Sequence, residues 1–143
     1  MTVATILRHK GDVVFSVRPE DDVLAVATTL STHRVGAVLV LDQDAEILGI
    51  VSERDIARAL AANGAAFLEM RAGQLMTRVL HTVTPATTEV EAMEKMTANR
   101  VRHLPVLDDG DLVGMISIGD VVKARIMEAE RDVDALKAYV VGA

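Results

Sequence analysis

GIVSERD, at residues 49–55, decides the fold, because GMISIGD at residues 114–120 repeats its pattern. Both stretches read glycine, two apolar residues, serine, two further residues and aspartate, and they lie 65 positions apart. The apolar residues are typical of a strand, and a serine followed three positions later by an acid is typical of a helix N-terminus. Each stretch therefore predicts a strand that passes directly into a helix.

The repeat extends toward the N-terminus of both stretches. Leu41-Asp42 recurs 66 positions later as Leu107-Asp108, and Arg34-Val35 recurs at the same offset as Arg100-Val101. The offset falls to 65 in the turn that follows. An ordered series broken by one deletion in a turn indicates two copies of one structural unit.

Each copy predicts the order strand, helix, strand, strand, helix. The first copy has strand 13–17, a helix capped by Asp22, strands 37–41 and 47–51 and a helix at 53–62. The second has strand 79–83, a helix capped by Thr88, strands 104–107 and 112–116 and a helix from 118 onward. The fold class is therefore α+β. One small sheet with helices on one face leaves apolar surface uncovered, so we expect the two copies to pack together with pseudo-two-fold symmetry.

The predicted boundaries are residues 6–62 for the first repeat, 63–74 for a connector, 75–125 for the second repeat and 126–143 for a C-terminal amphipathic helix and tail. The connector is expected to pack as a short helix. The last segment carries apolar residues at 3–4 residue spacing, namely Ile126, Ala129, Val133, Leu136 and Val140. They predict either packing on their own domain or a surface for a dimer or a partner.

Composition excludes several classes of function. The chain has 143 residues, no cysteine and a formal net charge of −6. The lack of cysteine rules out disulfides, thiol catalysis and cysteine zinc sites, and the negative charge argues against nucleic acid or an anionic membrane as partner. We expect no metal site, no catalytic nucleophile–base pair and no transmembrane or signal segment, hence a cytoplasmic protein that is not an enzyme.

Two in-register copies of this pattern resemble a tandem pair of cystathionine-β-synthase (CBS) domains, also called a Bateman module. Leu75-Met76-Thr77, before the second copy, and the stretch RHLPV at 102–106 are similar to that family too. The resemblance covers about residues 6–123. It implies a stand-alone regulatory pair that forms a homodimer and binds an adenosyl ligand in the cleft between repeats, with the motif aspartate on the ribose.

The motif residues Ser52, Asp55, Ser117 and Asp120 are candidates for that ligand site. At a helix N-terminus, backbone N–H groups favour a phosphate, and a carboxylate one turn later can accept both hydroxyls of a ribose. The same residues also form an ordinary capping box without any ligand. Spacing leaves both interpretations open, and the resemblance favours nucleotide binding.

The second repeat is expected to hold the better purine pocket. Pro105 in its middle strand indicates an edge or a strand start with backbone exposed to a cleft. Leu104 and Val106 are then candidates for the walls of an adenine site, together with Val83. His103 is expected either to contact phosphate or to remain a surface residue at the strand end.

Basic residues make the two sites unequal. Arg54 stands in the first motif where the second has Gly119, so a forked phosphate contact is available to one motif alone. Arg54 is expected to serve a nucleotide that lies mainly in the second repeat, or else to be a solvated surface charge. Arg100 and Arg102 are candidate phosphate contacts with the same alternative, and for Lys10 a solvated charge is favoured over a phosphate contact.

We therefore predict a regulatory or sensor module that binds AMP, ADP or ATP and signals to a protein partner. NAD(H) or S-adenosylmethionine are alternative ligands, and a ligand-free interaction scaffold is an alternative function. No cofactor is required beyond the adenine nucleotide as regulatory ligand, and the expected partners are a second copy of the chain and an unidentified regulated protein. The candidate ligand-binding residues are Ser117, Asp120, Val83, His103, Leu104, Pro105, Val106, Arg54, Ser52, Asp55, Arg102, Arg100, Val17 and Val38.

Overall fold

The computed structural model describes residues 1–78 and 80–142, so the parts of the predicted strand and tail that fall on Val79 and Ala143 lie outside the described residues. The helices are α1 (Val3–Lys10), α2 (Val23–His33), α3 (Glu53–Asn63), a 3-10 helix (Gly64–Glu69), α4 (Ala72–Leu75), α5 (Glu89–Asn99) and α6 (Ile118–Gly142). The strands are β1 (Ser16–Val17), β2 (Ala37–Leu41), β3 (Ile47–Ser52), β4 (His103–Asp108) and β5 (Asp111–Ser117). Mixed helices and small sheets confirm the α+β class.

The chain divides into two compact units. One is Val14–Leu80, and the other combines Met1–Val13 with His81–Ala143. Helix α1 overlaps the start of the predicted first repeat, residues 6–62, but belongs to the unit that contains the second repeat. The predicted connector, in contrast, lies wholly within the unit of the first repeat.

In the Val14–Leu80 unit, the described strands form a sheet in the order β1-β2-β3, with β1 parallel and β3 antiparallel to β2. Asp22 caps α2 as predicted, since its carboxylate accepts the Ala25 N–H at 2.8 Å. The connector adds the 3-10 helix and α4 to this unit. Its side chains Phe67, Ala72 and Leu75 are buried in the same apolar core as β2.

In the other unit, β4 and β5 form an antiparallel sheet that is two-stranded among the described residues. Asp109 and Gly110 have φ values of 52° and 86°, which is the backbone of a tight hairpin turn. Thr88 caps α5 as predicted, because its hydroxyl accepts the Glu91 N–H at 3.1 Å. The core of this unit includes Val3 and Ile6 of α1.

The first strand of each repeat is shorter than predicted. β1 has two residues where five were expected, and Val13 is 68% exposed. In the second repeat, Val83 pairs with Val106 as an isolated bridge and not as part of a strand. The β-branched runs misled the prediction, because a branched residue is favoured in a strand only where a neighbouring strand lies beside it.

The C-terminal helix also differs from the expected division. Helix α6 runs without a break from Ile118 to Gly142, so the predicted boundary at residue 126 does not separate two elements. Val121 and Ala124 are buried near its start, whereas every residue from 129 to 142 is exposed. Packing of Ile126, Val133, Leu136 and Val140 on their own domain is therefore wrong.

Candidate functional site

The two serine–aspartate turns form matching hydrogen-bond patterns. Ser117 N–H and Ser117 Oγ donate to Asp120 Oδ2 at 2.8 and 3.0 Å, and Asp120 N–H donates to Ser117 Oγ at 3.2 Å. Ser52 and Asp55 make the same bonds at 2.8, 3.0 and 3.3 Å. Both turns are therefore capping boxes that start a helix at the end of a strand.

Lys10 of α1 is an additional partner of Asp120. Lys10 Nζ lies 2.6 Å from Asp120 Oδ2 and also donates to the Met115 carbonyl at 2.7 Å. The two side chains are 34% and 22% exposed, so water screens this ion pair in part. Lys10 is exposed, in line with the favoured prediction of a solvated charge, but its ion pair with Asp120 was not predicted.

The environment of Asp120 acts on its pKa in two opposite directions. Burial raises the pKa of the carboxyl group, whereas the hydrogen bond and charge of Lys10 and the two hydrogen bonds from Ser117 lower it. The lowering contributions win, so the pKa lies below the usual aspartate value. Asp120 is therefore a carboxylate at neutral pH and a hydrogen-bond acceptor.

The two motif aspartates differ in which of their carboxylate oxygens accept hydrogen bonds. Thr77 Oγ1 donates to Asp55 Oδ1 at 3.1 Å, while Ser52 donates to Oδ2, so both oxygens of Asp55 accept hydrogen bonds. At Asp120, every hydrogen bond from the described residues falls on Oδ2. Oδ1 of Asp120 is therefore available to an additional donor, such as a hydroxyl group.

A cavity of about 140 Å³ lies beside Asp120, in the unit that contains the second repeat. Its polar lining consists of Asp120, His9, Lys10 and Lys123, and apolar side chains such as Ile6 complete the wall. Small-molecule sites usually measure at least ~300 Å³, so this cavity accommodates a part of a nucleotide and not all of it. The lining thus combines a carboxylate oxygen that accepts no bond from the described residues with two lysine side chains and one histidine.

The predicted walls of an adenine site lie in the core. Leu104 and Val106 are 0% exposed and Val83 is 4% exposed, and all three belong to one apolar cluster. Pro105 is buried too, and its carbonyl accepts the Val83 N–H at 3.0 Å. Because these side chains pack on one another, their role toward a base stays a prediction.

The remaining candidates of the second repeat lie near the capping turn or at a helix end. His103 is half-buried and stands opposite Ser117 in the β4–β5 ladder, and the Arg102 carbonyl accepts the Ile118 N–H at 2.8 Å. Arg100 ends α5 in the left-handed conformation, with φ 54°. The structure therefore brings His103 and the Arg102 backbone close to Ser117.

The candidates of the first repeat belong to the Val14–Leu80 unit. Val17 is 5% exposed in β1, and Val38 is 0% exposed in β2, where it pairs with Val51. Arg54 is exposed in the first turn of α3, between Ser52 and Asp55. Its predicted role toward a nucleotide of the second repeat stays a prediction.

Sequence reasoning missed the roles of His9, Lys123 and Thr77. His9 and Lys123 line the cavity beside Asp120, and Thr77 binds Asp55. Thr77 belongs to the stretch Leu75-Met76-Thr77, and the similarity of this stretch to the CBS family was the signal in the sequence that pointed to it. His9 and Lys123 carried no signal of their own, because each is a single basic residue distant in sequence from the residues it joins.

Two further features of the described residues bear on other functions. No helix there is both long and apolar enough to cross a membrane. No group of three or more histidine, aspartate or glutamate side chains there has the arrangement needed to hold a metal ion. The predicted cytoplasmic location is not tested by either result and stays a prediction.

Comparison with known proteins identifies relatives along most of the chain. The family model of the CBS domain matches residues 6–62 and 72–127. The mitochondrial CBS domain-containing protein CBSX3 of Arabidopsis thaliana is 34% identical over 99% of this chain and 72% of its own length. In two other curated relatives, CBSCBSPB5 and CBSCBSPB4 of Arabidopsis thaliana, the part that matches this chain is 20% of the relative's own length.

Solved structures are similar to this chain in fold as well. A CBS-domain containing protein from Agrobacterium tumefaciens has a TM-score of 0.85 and 44% identity, covering 87% of this chain and 92% of its own. A CBS domain protein from Pyrobaculum aerophilum, in complex with AMP, has a TM-score of 0.73 and 30% identity, covering 84% of this chain and 89% of its own.

Proposed function

The chain belongs to the CBS domain family, and from this premise we propose that it is a regulatory module that binds an adenine nucleotide at Asp120. The observation that carries the proposal is the Oδ1 of Asp120, which accepts no hydrogen bond from the described residues and lies beside a cavity lined by His9, Lys10 and Lys123. Oδ1 accepts a ribose hydroxyl, and the basic side chains attract phosphate. The relative from Pyrobaculum aerophilum that is complexed with AMP supports this class of ligand.

The charges of the site select among the possible ligands. AMP, ADP, ATP and NAD(H) carry phosphate groups that Lys10 and Lys123 would stabilise. S-adenosylmethionine carries a sulfonium cation, which the same side chains would repel. We therefore place phosphate-bearing nucleotides before S-adenosylmethionine, and AMP before the others because a relative is complexed with it.

Regulation requires that the nucleotide bind one conformation of the module more tightly than another. In this proposal, Lys10 exchanges its bond to Asp120 for a bond to the phosphate, and the position of α1 then reports the bound state. The reporting step is the change in the Lys10–Asp120 pair. The module has a regulatory role and no catalytic one, and the homodimer and the regulated protein stay predictions.

A ligand-free interaction scaffold is the second candidate function. It is supported by the two capping boxes, since Ser52 with Asp55 and Ser117 with Asp120 satisfy each other without a ligand. A scaffold would keep its partner regardless of nucleotide. Nucleotide binding by the purified chain separates the two functions.

Titration calorimetry with AMP tests the proposal on the wild-type chain, Asp120→Asn and Asp55→Asn. Both variants weaken an equivalent capping box, so Asp55→Asn is the matched control for stability. We expect Asp120→Asn to weaken AMP binding by about 10-fold or more through loss of a charged hydrogen bond, and Asp55→Asn to bind within about twofold of wild type. Equal affinity of both variants for AMP contradicts the assignment of Asp120. No binding of AMP, ADP, ATP or NADH by the wild-type chain favours the scaffold.

A further inference from the structure

Helix α6 carries an apolar stripe that the described residues of its own unit leave largely exposed. Ile126 is 55% exposed, Val133 50%, Leu136 63% and Val140 67%. Every residue from 129 to 142 is exposed, so this part of the helix buries little apolar surface against the other described residues. Because most helical stability in proteins comes from packing of an apolar face, the exposed stripe is a surface on which a partner would add stability.

The stripe is separate from the face that packs on the domain. Val121 and Ala124 point into the core, and Glu128 is half-buried on the same side. With about 100° per residue, Val122 and the stripe residues lie roughly a quarter turn around the helix from Val121. The helix therefore has one apolar face for its own unit and a second, uncovered one.

The spacing of the second face is that of a coiled coil. Its apolar residues alternate in steps of four and three along the helix: Val122, Ile126, Ala129, Val133, Leu136 and Val140. In heptad terms, Ile126, Val133 and Val140 occupy a positions, and Leu136 occupies a d position. Branched residues at a with leucine at d favour two parallel strands.

Charged residues beside the stripe indicate a second copy of this chain as the partner. In a parallel pair, Asp132 (g) faces Lys137 (e) of the other copy, and Arg125 (g) faces Glu130 (e). Both contacts are attractive and occur twice by symmetry. Arg125 also donates to Glu89 in its own chain at 3.1 Å, so its contact with Glu130 of the other copy competes with this bond. The pair of Asp132 and Lys137 is therefore the better one to test.

The same charges disfavour an antiparallel pair of helices in which every apolar residue of the stripe packs against the other copy. It would place Asp132 against Asp132, Glu130 against Glu130 and Lys123 against Lys137. A shift by one heptad removes these repulsions but leaves apolar residues at the ends of the stripe unpaired. The parallel arrangement alone satisfies the apolar and the charged positions together.

We propose that two copies of this chain associate through a parallel two-stranded coiled coil of their α6 helices, centred on residues 126–140. This interface does not depend on nucleotide binding. The apolar stripe of one copy packs against the same stripe of the second copy. The dimer joins the C-terminal ends of the two chains side by side.

Single cysteines test the arrangement, because the chain has none of its own. In a parallel pair, Val140→Cys places two thiols across the interface within reach of a disulfide, whereas in the full antiparallel pair they are about 27 Å apart. We expect Val140→Cys to form a linked dimer under mild oxidation. Ala138→Cys, on the opposite face of the same turn, is the control and should remain unlinked. Equal linking of both variants, or none in Val140→Cys, overturns the proposal.

A charge exchange on the full chain provides a second readout by analytical ultracentrifugation. Lys137→Glu should raise the dimer dissociation constant roughly three- to tenfold, because each copy then meets Asp132 with a like charge. Adding Asp132→Lys to it should restore the wild-type constant. Both positions are exposed, so the fold tolerates the changes. A wild-type chain that stays monomeric, or a double variant no tighter than the single one, overturns the parallel dimer.

Discussion

The Asp120 carboxylate is held by Lys10 in addition to its own helix turn. The Lys10 Nζ to Asp120 Oδ2 distance is 2.6 Å, and the hydrogen bonds from Ser117 to the same oxygen are of ordinary length. Asp55, the equivalent residue of the first repeat, has Thr77 in place of a cation. The motif aspartate of one repeat thus binds a cationic partner, whereas that of the other repeat binds the neutral hydroxyl of Thr77.

This pair gives stability a defined pH dependence. Since the folded-state pKa of Asp120 is lowered, its contribution is fully present above the unfolded aspartate value of about 3.9 and is lost as pH falls through the lower folded-state value. Lys10→Met should cost about 1 kcal/mol of unfolding free energy at pH 7. The cost should shrink as the pH falls below the unfolded aspartate value and through the lower folded-state pKa of Asp120, because the protonated carboxyl group no longer attracts Lys10.

Urea unfolding at pH 7 and at pH 2.5 measures this prediction. Lys123→Met is the matched control, since Lys123 lines the same cavity without an ion pair among the described residues. Its unfolding free energy should stay near the wild-type value at both pH values. A Lys10→Met cost that is unchanged at low pH would show that the bond to the Met115 carbonyl dominates, and not the bond to Asp120.

At the scale of elements, the glycine of each motif marks where another segment contacts a strand. A Cβ on Gly49 in β3 would lie 2.7 Å from the Thr77 carbonyl oxygen and 2.8 Å from Met76 Sδ. A Cβ on Gly114 in β5 would lie 2.8 Å from Leu7 Cδ2. The same glycine thus admits backbone in one repeat and the end of a side chain in the other.

Alanine substitution should therefore have unequal effects at these two positions. Gly49→Ala should destabilise the protein by about 2–3 kcal/mol, because the Thr77 backbone must move. Gly114→Ala should cost about 1 kcal/mol or less, because Leu7 can change rotamer. Thermal and urea unfolding measure both.

Gly119→Ala serves as the control for these variants. Gly119 lies in the first turn of α6, and a Cβ there would make an ordinary 3.6 Å contact with Ser117 Oγ. Alanine should leave stability unchanged or raise it by up to about 1 kcal/mol, since it is the better helix former. A Gly114→Ala cost equal to that of Gly49→Ala would contradict the distinction between backbone and side-chain contacts.

At the scale of the whole molecule, α1 connects the start of the chain to the second repeat. Val3 is 0% exposed and Ile6 is 4% exposed in the core formed with α5, β4, β5 and α6. The Val3 N–H donates to the Thr87 carbonyl at 2.8 Å. The unit of the second repeat therefore depends on residues from the N-terminal end of the chain, more than 70 positions before its own strands.

Ile6→Ala should accordingly weaken the unit that contains the second repeat. The loss of a buried side chain should cost about 2–4 kcal/mol. Hydrogen exchange should show reduced protection in residues 81–142 and little change in residues 14–78. Arg8→Ala, on the exposed side of α1, should leave both regions unchanged. Protection lost mainly from residues 14–78 would contradict the assignment of α1 to the other unit.

The sequence was sufficient for the duplication and for most local features of each repeat, but it predicted no helix at Val3–Lys10 and too long a first strand in each repeat. It predicted the caps at Asp22 and Thr88, the bounds of β2 and the serine–aspartate turns. The apolar stripe of α6 was visible in the sequence too. These features depend on side chains within three or four positions of each other, so spacing along the chain is sufficient to reveal them.

Only the tertiary structure decided which distant segments meet. Lys10 and Asp120 are separated by 110 positions, and no local pattern in either stretch predicts their contact. The same holds for the placement of α1, for the contacts that require Gly49 and Gly114, and for the complete burial of Leu104 and Val106. The physical reason is that side-chain chemistry determines what a residue can bind, whereas the path of the folded chain determines what lies within its reach.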